Sequence, residues 1–149
     1  MMRDGCVCRF ESKSVHNMSP FYTVAYFIDF SMDFCDAVAK TVNANLNMQR
    51  KMEYFFGSSG WFVDSPQSVF LGGVFNIFVK PNGSSIANER DIRVAIRNLK
   101  EHLEYIDSSI NKIMFPVQNG YDGFTADELA CIFEEELDGI DVEVVFCNV

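Results

Sequence analysis

The segment Pro116-Val-Gln-Asn-Gly-Tyr-Asp-Gly-Phe-Thr125 leaves an apolar run and enters a helix that opens on Thr125. Asn119, Gly120 and Gly123 permit unusual backbone angles, so successive amides can turn inward around a phosphate near a helix N-terminus. The same residues also serve plain turn geometry, and composition does not separate the two uses. Ligands of α/β sheets sit beyond the carboxyl ends of strands. Two further strand-to-helix junctions therefore qualify: 29–36, bracketed by Asp29 and Asp36, and 80–88. Other chemistry is poorly represented. His16 and His102 are the only histidines, and there is no HxxxH, Ser-His-Asp spacing or Walker loop. His102 lies beside an apolar helical stripe and reads as a boundary residue. Cys6 and Cys8, two apart in a strand, share a face and either approach a metal or pack as small core residues. Five cysteines without a CxxC pair argue against a disulfide framework or a zinc ribbon. No metal and no cofactor are expected.

The elements that must position these loops alternate between strand and helix along the whole chain. That pattern describes one domain, 1–149, with a sheet covered by helices. Residues 6–10 read as an opening strand, and 22–29 as a buried strand rich in β-branched and aromatic residues. Phe34, Val38, Val42 and Leu46 recur every four residues, which predicts a helix over 33–46. Residues 47–56 extend it or form a second short helix, and 57–60 end it. Two or three strands follow between 61 and 79, broken at Ser65-Pro66 and Gly72-Gly73. After the loop 81–85, Ile92, Ile96, Leu99, Leu103 and Ile106 form one apolar stripe of a long helix. Residues 112–115 read as a short strand. Thr125 and Glu128 have capping-box spacing and start a helix through Leu137. Gly139 suits its C-terminal cap, and 142–147 is the closing strand. Trp61 and the many phenylalanines are core residues first.

Hydrophobic residues make up 48% of 149 residues and fifteen of them are Phe, enough for a core without metal or disulfide. The apolar runs 77–79 and 144–147 are far shorter than the ~20 residues that span a bilayer. Polar residues 3–5, with no long apolar region after them, do not resemble a signal peptide. The expectation is a soluble, cytoplasmic protein. A net charge of −9 argues against nucleic acid and against an anionic membrane as partners. Between 127 and 143 there are eight Asp or Glu and no Lys or Arg. That segment is either a solvated helix face or an acidic contact surface for a basic protein partner.

The block Ile77-Phe-Val-Lys80, the loop after it and the helix at 92–102 resemble the corresponding strand, loop and helix of macro domains. The resemblance is to the terminal ADP-ribose protein glycohydrolase branch. It continues through a strand ending in Pro116, the loop ending Gly120-Tyr121-Asp122, a helix with paired Glu, and Asp141-Val-Glu-Val-Val-Phe146. Upstream, Thr23-Val-Ala-Tyr-Phe-Ile-Asp29 followed by a helix suits the family's second strand and first ligand loop. The resemblance implies a three-layer α/β sandwich with a mixed central sheet and helices on both faces. It also implies ADP-ribose or a related nucleotide as ligand, held near Asp29, Asp36, Asn119, Gly120, Tyr121, Gly123 and Phe124. Tyr121 and Phe124 fall where a macro domain offers an aromatic ring to its ligand. Lys80 and Asp122 fall at the positions of the branch's catalytic pair, the lysine attacking the sugar C1″ and the aspartate assisting. A deprotonated amine can form a Schiff-base-like adduct, and a carboxylate beside it can move protons and orient it. The same two residues otherwise make an ordinary salt bridge.

The chain departs from that family in three places. The Gly-rich first loop becomes Phe34-Cys35-Asp36-Ala37-Val38-Ala39, without glycine. Side chains at Cys35 and Ala37 crowd a ligand lying on the backbone, and Asp36 repels a diphosphate. The Gly-Asp pair that reads adenine becomes Lys13-Ser14, and the phosphate loop is one residue shorter, with Asn119 and Tyr121 where glycines are common. Two functions therefore stand side by side: an ADP-ribose binder or hydrolase, and a macro-like fold without nucleotide activity that acts by binding protein. The second would suit a viral or phage protein acting on its host.

Overall fold

The structure, a computed structural model, describes residues 5–14, 23–60, 62–117 and 119–148. The readings made above for His16, Tyr22 and Trp61 fall outside the described residues. The described elements run β1 (Cys6–Ser14), β2 (Thr23–Asp29), α1 (Ala37–Leu46), α2 (Met48–Ser59), β3 (Gln67–Leu71), β4 (Val74–Lys80), α3 (Glu89–Glu101), a π-helical turn (His102–Ile106), β5 (Lys112–Phe115), α4 (Ala126–Glu136) and β6 (Val142–Asn148).

They build a six-stranded sheet in the order β1-β6-β5-β2-β4-β3. Every neighbouring pair is parallel except β3 with β4, which are antiparallel across the Gly72-Gly73 turn. This is the mixed sheet with helices on both faces that the resemblance implies. Successive side chains of a strand point to opposite faces, so the central strands must be apolar on both. On one face Tyr26, Ile28, Val74 and Phe78 meet Val42 of α1 and Met48, Met52 and Phe56 of α2. On the other, Phe27, Phe75, Ile77, Phe115 and Phe146 meet Ile92, Ile96 and Leu99 of α3 and Leu129 and Phe133 of α4. Phe115 lies at the centre of that second layer, with ring centroids 5.0 Å from Phe27, 4.9 Å from Phe133 and 5.1 Å from Phe146. Asn76, the polar residue buried within β4, is tolerated because it is fully engaged. It accepts from the Tyr26 hydroxyl, and its Nδ2 donates to Val69 O at 3.1 Å. Three strands are thereby cross-tied.

Several boundaries differ from the periodic reading. The first helix starts at Ala37 rather than at 33, because Phe34 has φ 50° and cannot belong to a right-handed helix. Its apolar side chain keeps the helical spacing only by coincidence, as it is buried from the loop. Residues 48–59 form a separate helix, divided from α1 by Asn47 at φ 54°. The opening strand extends to Ser14. Ile106 is 74% exposed although it continues the α3 stripe in sequence. The π-helical turn after Glu101 widens the helix, so a side chain that a 3.6-residue period would bury is rotated outward. The capping box at Thr125 and Glu128 is formed in both directions. Leu137 is the last cap of α4, and Gly139 turns the chain two residues later at φ 87°. His102 packs 5.0 Å from both Phe70 and Phe75, the boundary position expected of it. Among the described residues no helix is long and apolar enough to cross a membrane, and no cluster of His, Cys, Asp or Glu is arranged to hold a metal.

Parallel pairing has one consequence that organises the rest. The carboxyl ends of β2, β4, β5 and β6 share a single rim, so Asp29, Lys80, Pro116 and Asn148 come together from distant parts of the chain.

Candidate functional site

Lys80 is the last residue of β4, and its side chain is only 7% exposed. Its Nζ donates to Asp122 Oδ2 at 2.8 Å and lies 5.0 Å from the centroid of the Tyr121 ring. The same Asp122 oxygen accepts the Ala87 amide at 2.9 Å, which anchors it from the loop before α3. A buried ammonium needs such company: one carboxylate in contact and an aromatic face beside it offset the loss of water.

Asp122 reaches this place because of how the 117–124 loop is folded. The Gly120 amide donates to Val117 O at 3.0 Å, and Tyr121 and Phe124 exchange backbone bonds of 2.9 Å in each direction. This closes a turn in which Gly120 (φ 89°), Asp122 (φ 48°) and Gly123 (φ 87°) all occupy left-handed backbone. A Cβ on Gly120 would stand 2.3 Å from Phe124 O, so glycine is obligatory there. Asp is among the few other residues that tolerate such angles. Among the described residues the amides of Asn119, Asp122 and Gly123 have no protein acceptor, which leaves donors in a loop that leads into the α4 N-terminus.

A cleft of about 270 Å³ opens on this rim, lined by Asp36, Asn119, Gly120, Tyr121 and Asp122 among the residues singled out from the sequence. Ala37, Val38, Pro116 and Val117, which belong to the candidate loops, also line it, as do Cys147 and Asn148, which the sequence reading missed. For Cys147 and Asn148 no local signal existed, since only the strand order brings β6 beside β5. Burial pushes the Cys147 thiol up to about 11, so it is a packing group rather than a nucleophile.

The remaining residues are placed differently. Gly123 and Phe124 belong to the turn but do not line the cleft. The Tyr121 ring is not presented for stacking: it packs 4.9 Å from Phe27, and its hydroxyl is buried without a hydrogen-bond partner. Burial, with Asp122, Asp36 and Asp29 nearby, raises the Tyr121 phenol well above its usual value. Asp29 is buried below the rim and accepts the Asp33 amide at 3.1 Å. Desolvation raises its carboxyl above the ordinary range, partly opposed by that amide. Asp36 caps α1, its Oδ1 accepting the Ala39 amide at 3.0 Å.

The 30–36 loop lies against the 81–85 loop. Phe30 N donates to Lys80 O at 2.8 Å, Ser31 Oγ to Pro81 O at 3.1 Å, and Gly83 N to Asp33 Oδ2 at 2.8 Å. Gly83 makes this contact close: a Cβ there would fall 2.4 Å from Cys35 Sγ and would require that side chain to shift. Lys13-Ser14, which the resemblance sets at the family's Gly-Asp pair, ends β1 at the same end of the sheet. The acidic 127–143 segment is partly neutralised toward its C-terminal part. Arg93 and Arg97 hold Glu136 at 2.9 and 2.7 Å, Arg93 reaches Glu135 at 3.2 Å, and Arg9 holds Glu143 at 2.8 Å.

No protein-family model and no curated protein sequence matches this chain. Solved structures do. The macrodomain of Thermus aquaticus DarG superposes with a TM-score of 0.72 at 12% identity, over 97% of this chain and 99% of that one. The macrodomain of Mycobacterium tuberculosis DarG gives 0.68 at 12% identity, again over 97% and 99%. The alphavirus P23pro-zbd structure gives 0.60 at 11% identity, over 99% of this chain but 22% of its own. On superposition and near-complete mutual coverage with the two macrodomains, this chain has the macro domain fold.

Proposed function

We infer that the rim cleft binds ADP-ribose or a related nucleotide derivative, and that Lys80 and Asp122 hydrolyse a bond at its ribose C1″. The observation that carries this reading is the Lys80 Nζ–Asp122 Oδ2 contact of 2.8 Å in a macro domain fold, in which Asp122 lines the cleft and Lys80 lies outside its lining. In the hydrolysis, Lys80 gives a proton to Asp122 and its free amine forms a bond to C1″ while the ester oxygen leaves with the bonding electrons. The ring then opens to an iminium, which water hydrolyses to free the sugar and the lysine.

Two titrations test this. Calorimetry with ADP-ribose, run beside ADP and AMP, should show binding by ADP-ribose. Wild type should release ADP-ribose from a glutamate-modified peptide, and Lys80→Ala should not. No heat at millimolar ADP-ribose sinks the binding reading, and unchanged turnover in Lys80→Ala sinks the enzymatic one.

One observation favours a second reading, a fold that has given up the nucleotide and acts by binding protein. Asp36 lines the cleft while its carboxylate already occupies the N-terminus of α1, where a diphosphate would otherwise dock. The acidic helix α4 is the surface first expected to take a basic partner. Charge reversal at Glu134 and Glu135 should then weaken a co-purifying basic protein, and an interaction that survives reversal excludes this face.

A further inference from the structure

The α1–α2 layer differs in charge from the rest of the molecule. From Ala37 to Gly60 it carries three cations, Lys40, Arg50 and Lys51, against one carboxylate, Glu53, in a chain whose net charge is −9. On the outer side of α2 lies a groove of about 510 Å³, lined by Asn47, Arg50, Lys51, Tyr54, Phe55 and Leu71. Its apolar part is exposed: Tyr54 is 80% accessible and Phe55 37%. Among the described residues neither Arg50 nor Lys51 has an ion-pair partner, although acids outnumber bases in the chain. By contrast, Arg9, Arg93 and Arg97 are all held by glutamates. The Lys51 side chain runs beside Gly72 in the β3–β4 turn, within 3.6 Å of where a Cβ would stand there. A larger residue at that turn would compete with it for the edge of the groove.

Position matters as much as composition. The β3–β4 turn lies where β4 begins, at the end of the sheet opposite the rim that carries Lys80. Whatever sits in this groove leaves the nucleotide cleft open.

We propose that the α2 groove is a docking site for an acidic peptide segment of another protein, one bearing a large apolar side chain. That side chain packs between Tyr54, Phe55 and Leu71, and flanking carboxylates meet Arg50 and Lys51. A single-stranded nucleic acid fits less well. Two cations neutralise too few phosphates for useful affinity, and the remaining negative field repels a polyanion. A short peptide with one or two carboxylates feels the local cations within a Debye length and little of the distant acid. The proposal does not depend on the nucleotide reading, since it names a different partner on a different edge.

The test is display of random linear peptides on phage against the whole folded chain, with synthesis of the enriched sequences and anisotropy titration. The expected result is enrichment of peptides that place Asp or Glu beside Phe, Trp or Leu. The Arg50→Glu/Lys51→Glu double variant should weaken their binding about tenfold or more, the scale of losing complementary charge. Tyr54→Ala should weaken it several-fold, and excess ADP-ribose should leave it unchanged. All three residues are exposed, so thermal melting should be unaltered in the variants. Peptides without carboxylates, no enrichment, or equal affinity for the reversed variant would overturn the proposal. So would a labelled single-stranded RNA that binds wild type and not the reversed variant, which would reassign the groove to nucleic acid. A dimer in sedimentation that the reversal dissociates would make the groove a self-interface and would equally overturn it.

Discussion

Two loops flank the same cleft and meet the same demand, a sharp left-handed backbone at the end of a strand, with opposite materials. Among its described residues the 117–124 loop uses glycine at two of three left-handed positions and Asp122 at the third. The 30–36 loop has no glycine, and its left-handed residues are Met32 at φ 56° and Phe34 at φ 50°. Each such residue costs about 1–2 kcal/mol. The expense is carried by Phe34 burial and by the ties from Asp33, Ser31 and Phe30 to the neighbouring loop. The difference teaches what each loop can offer a ligand. A glycine loop exposes its own amides; the side-chain loop puts the Asp36 carboxylate at the cleft. The cleft therefore has one wall suited to an anion and one that repels it.

The largest break of this contrast is Gly120→Ala. The new methyl meets Phe124 O and a left-handed φ at once, so destabilisation of about 3 kcal/mol is expected, the cost of left-handed backbone plus a clash that only loop movement relieves. The paired control is Gly123→Ala, whose φ is similar but whose Cβ faces open space. It should cost only the conformational part, about 1–2 kcal/mol. Urea denaturation of both variants checks the difference. Equal losses would mean that the turn is not held by the Tyr121–Phe124 pair, and its claim to orient Asp122 would fall with that.

How much of this was legible beforehand follows the same division. The 117–124 loop announces itself, because Gly, Asn and a capping Thr125–Glu128 pair are local signals and the structure forms the box they predict. The 30–36 loop does not. Phe34, Val38, Val42 and Leu46 keep helical spacing, so periodicity starts the helix four residues ahead of its true start, and nothing in the residue types betrays the positive φ. Ile106 misled for a related reason: one π-helical turn shifts the stripe, and no single residue marks it. Cys147 and Asn148 could not be read as cleft residues at all, since their place depends on β6 pairing with β5. Tyr121 was expected to offer its ring to a ligand, but it faces Phe27 and Lys80 instead. Local chemistry is visible in the chain; which distant elements share a rim is a property of the assembled sheet.

Asp36→Ser sharpens the comparison from the other wall. Serine caps a helix about as well as aspartate, so stability should change little. The substitution removes a carboxylate that lines the cleft at the α1 N-terminus. If ADP-ribose binds here, its affinity should rise about tenfold, near the upper end of what one charge at a helix terminus contributes. Calorimetry at low salt reads the change, and added salt should shrink it. An affinity that stays the same or falls would show that the diphosphate does not approach α1.

The smallest expected effect is also the one whose sign says most about the 30–36 loop. Burial raises the Asp29 carboxyl above its unfolded value, so the folded protein holds that proton more tightly than the unfolded chain does. The stability associated with this proton is fully present below the unfolded value of about 3.9 and is lost as pH rises through the higher folded value. At neutral pH the ionised group is then a net burden, despite the Asp33 amide it accepts. Asn at this position keeps an oxygen for that amide and carries no charge. Asp29→Asn should therefore be slightly more stable than wild type at pH 7, with the gain fading as pH is lowered toward 3.5. Thermal melting across that range decides the matter. A variant that is less stable at pH 7, with the deficit closing in acid, would mean that the Asp29 charge is stabilised by its surroundings. The 30–36 loop would then be held together by its carboxylates and not merely burdened by them.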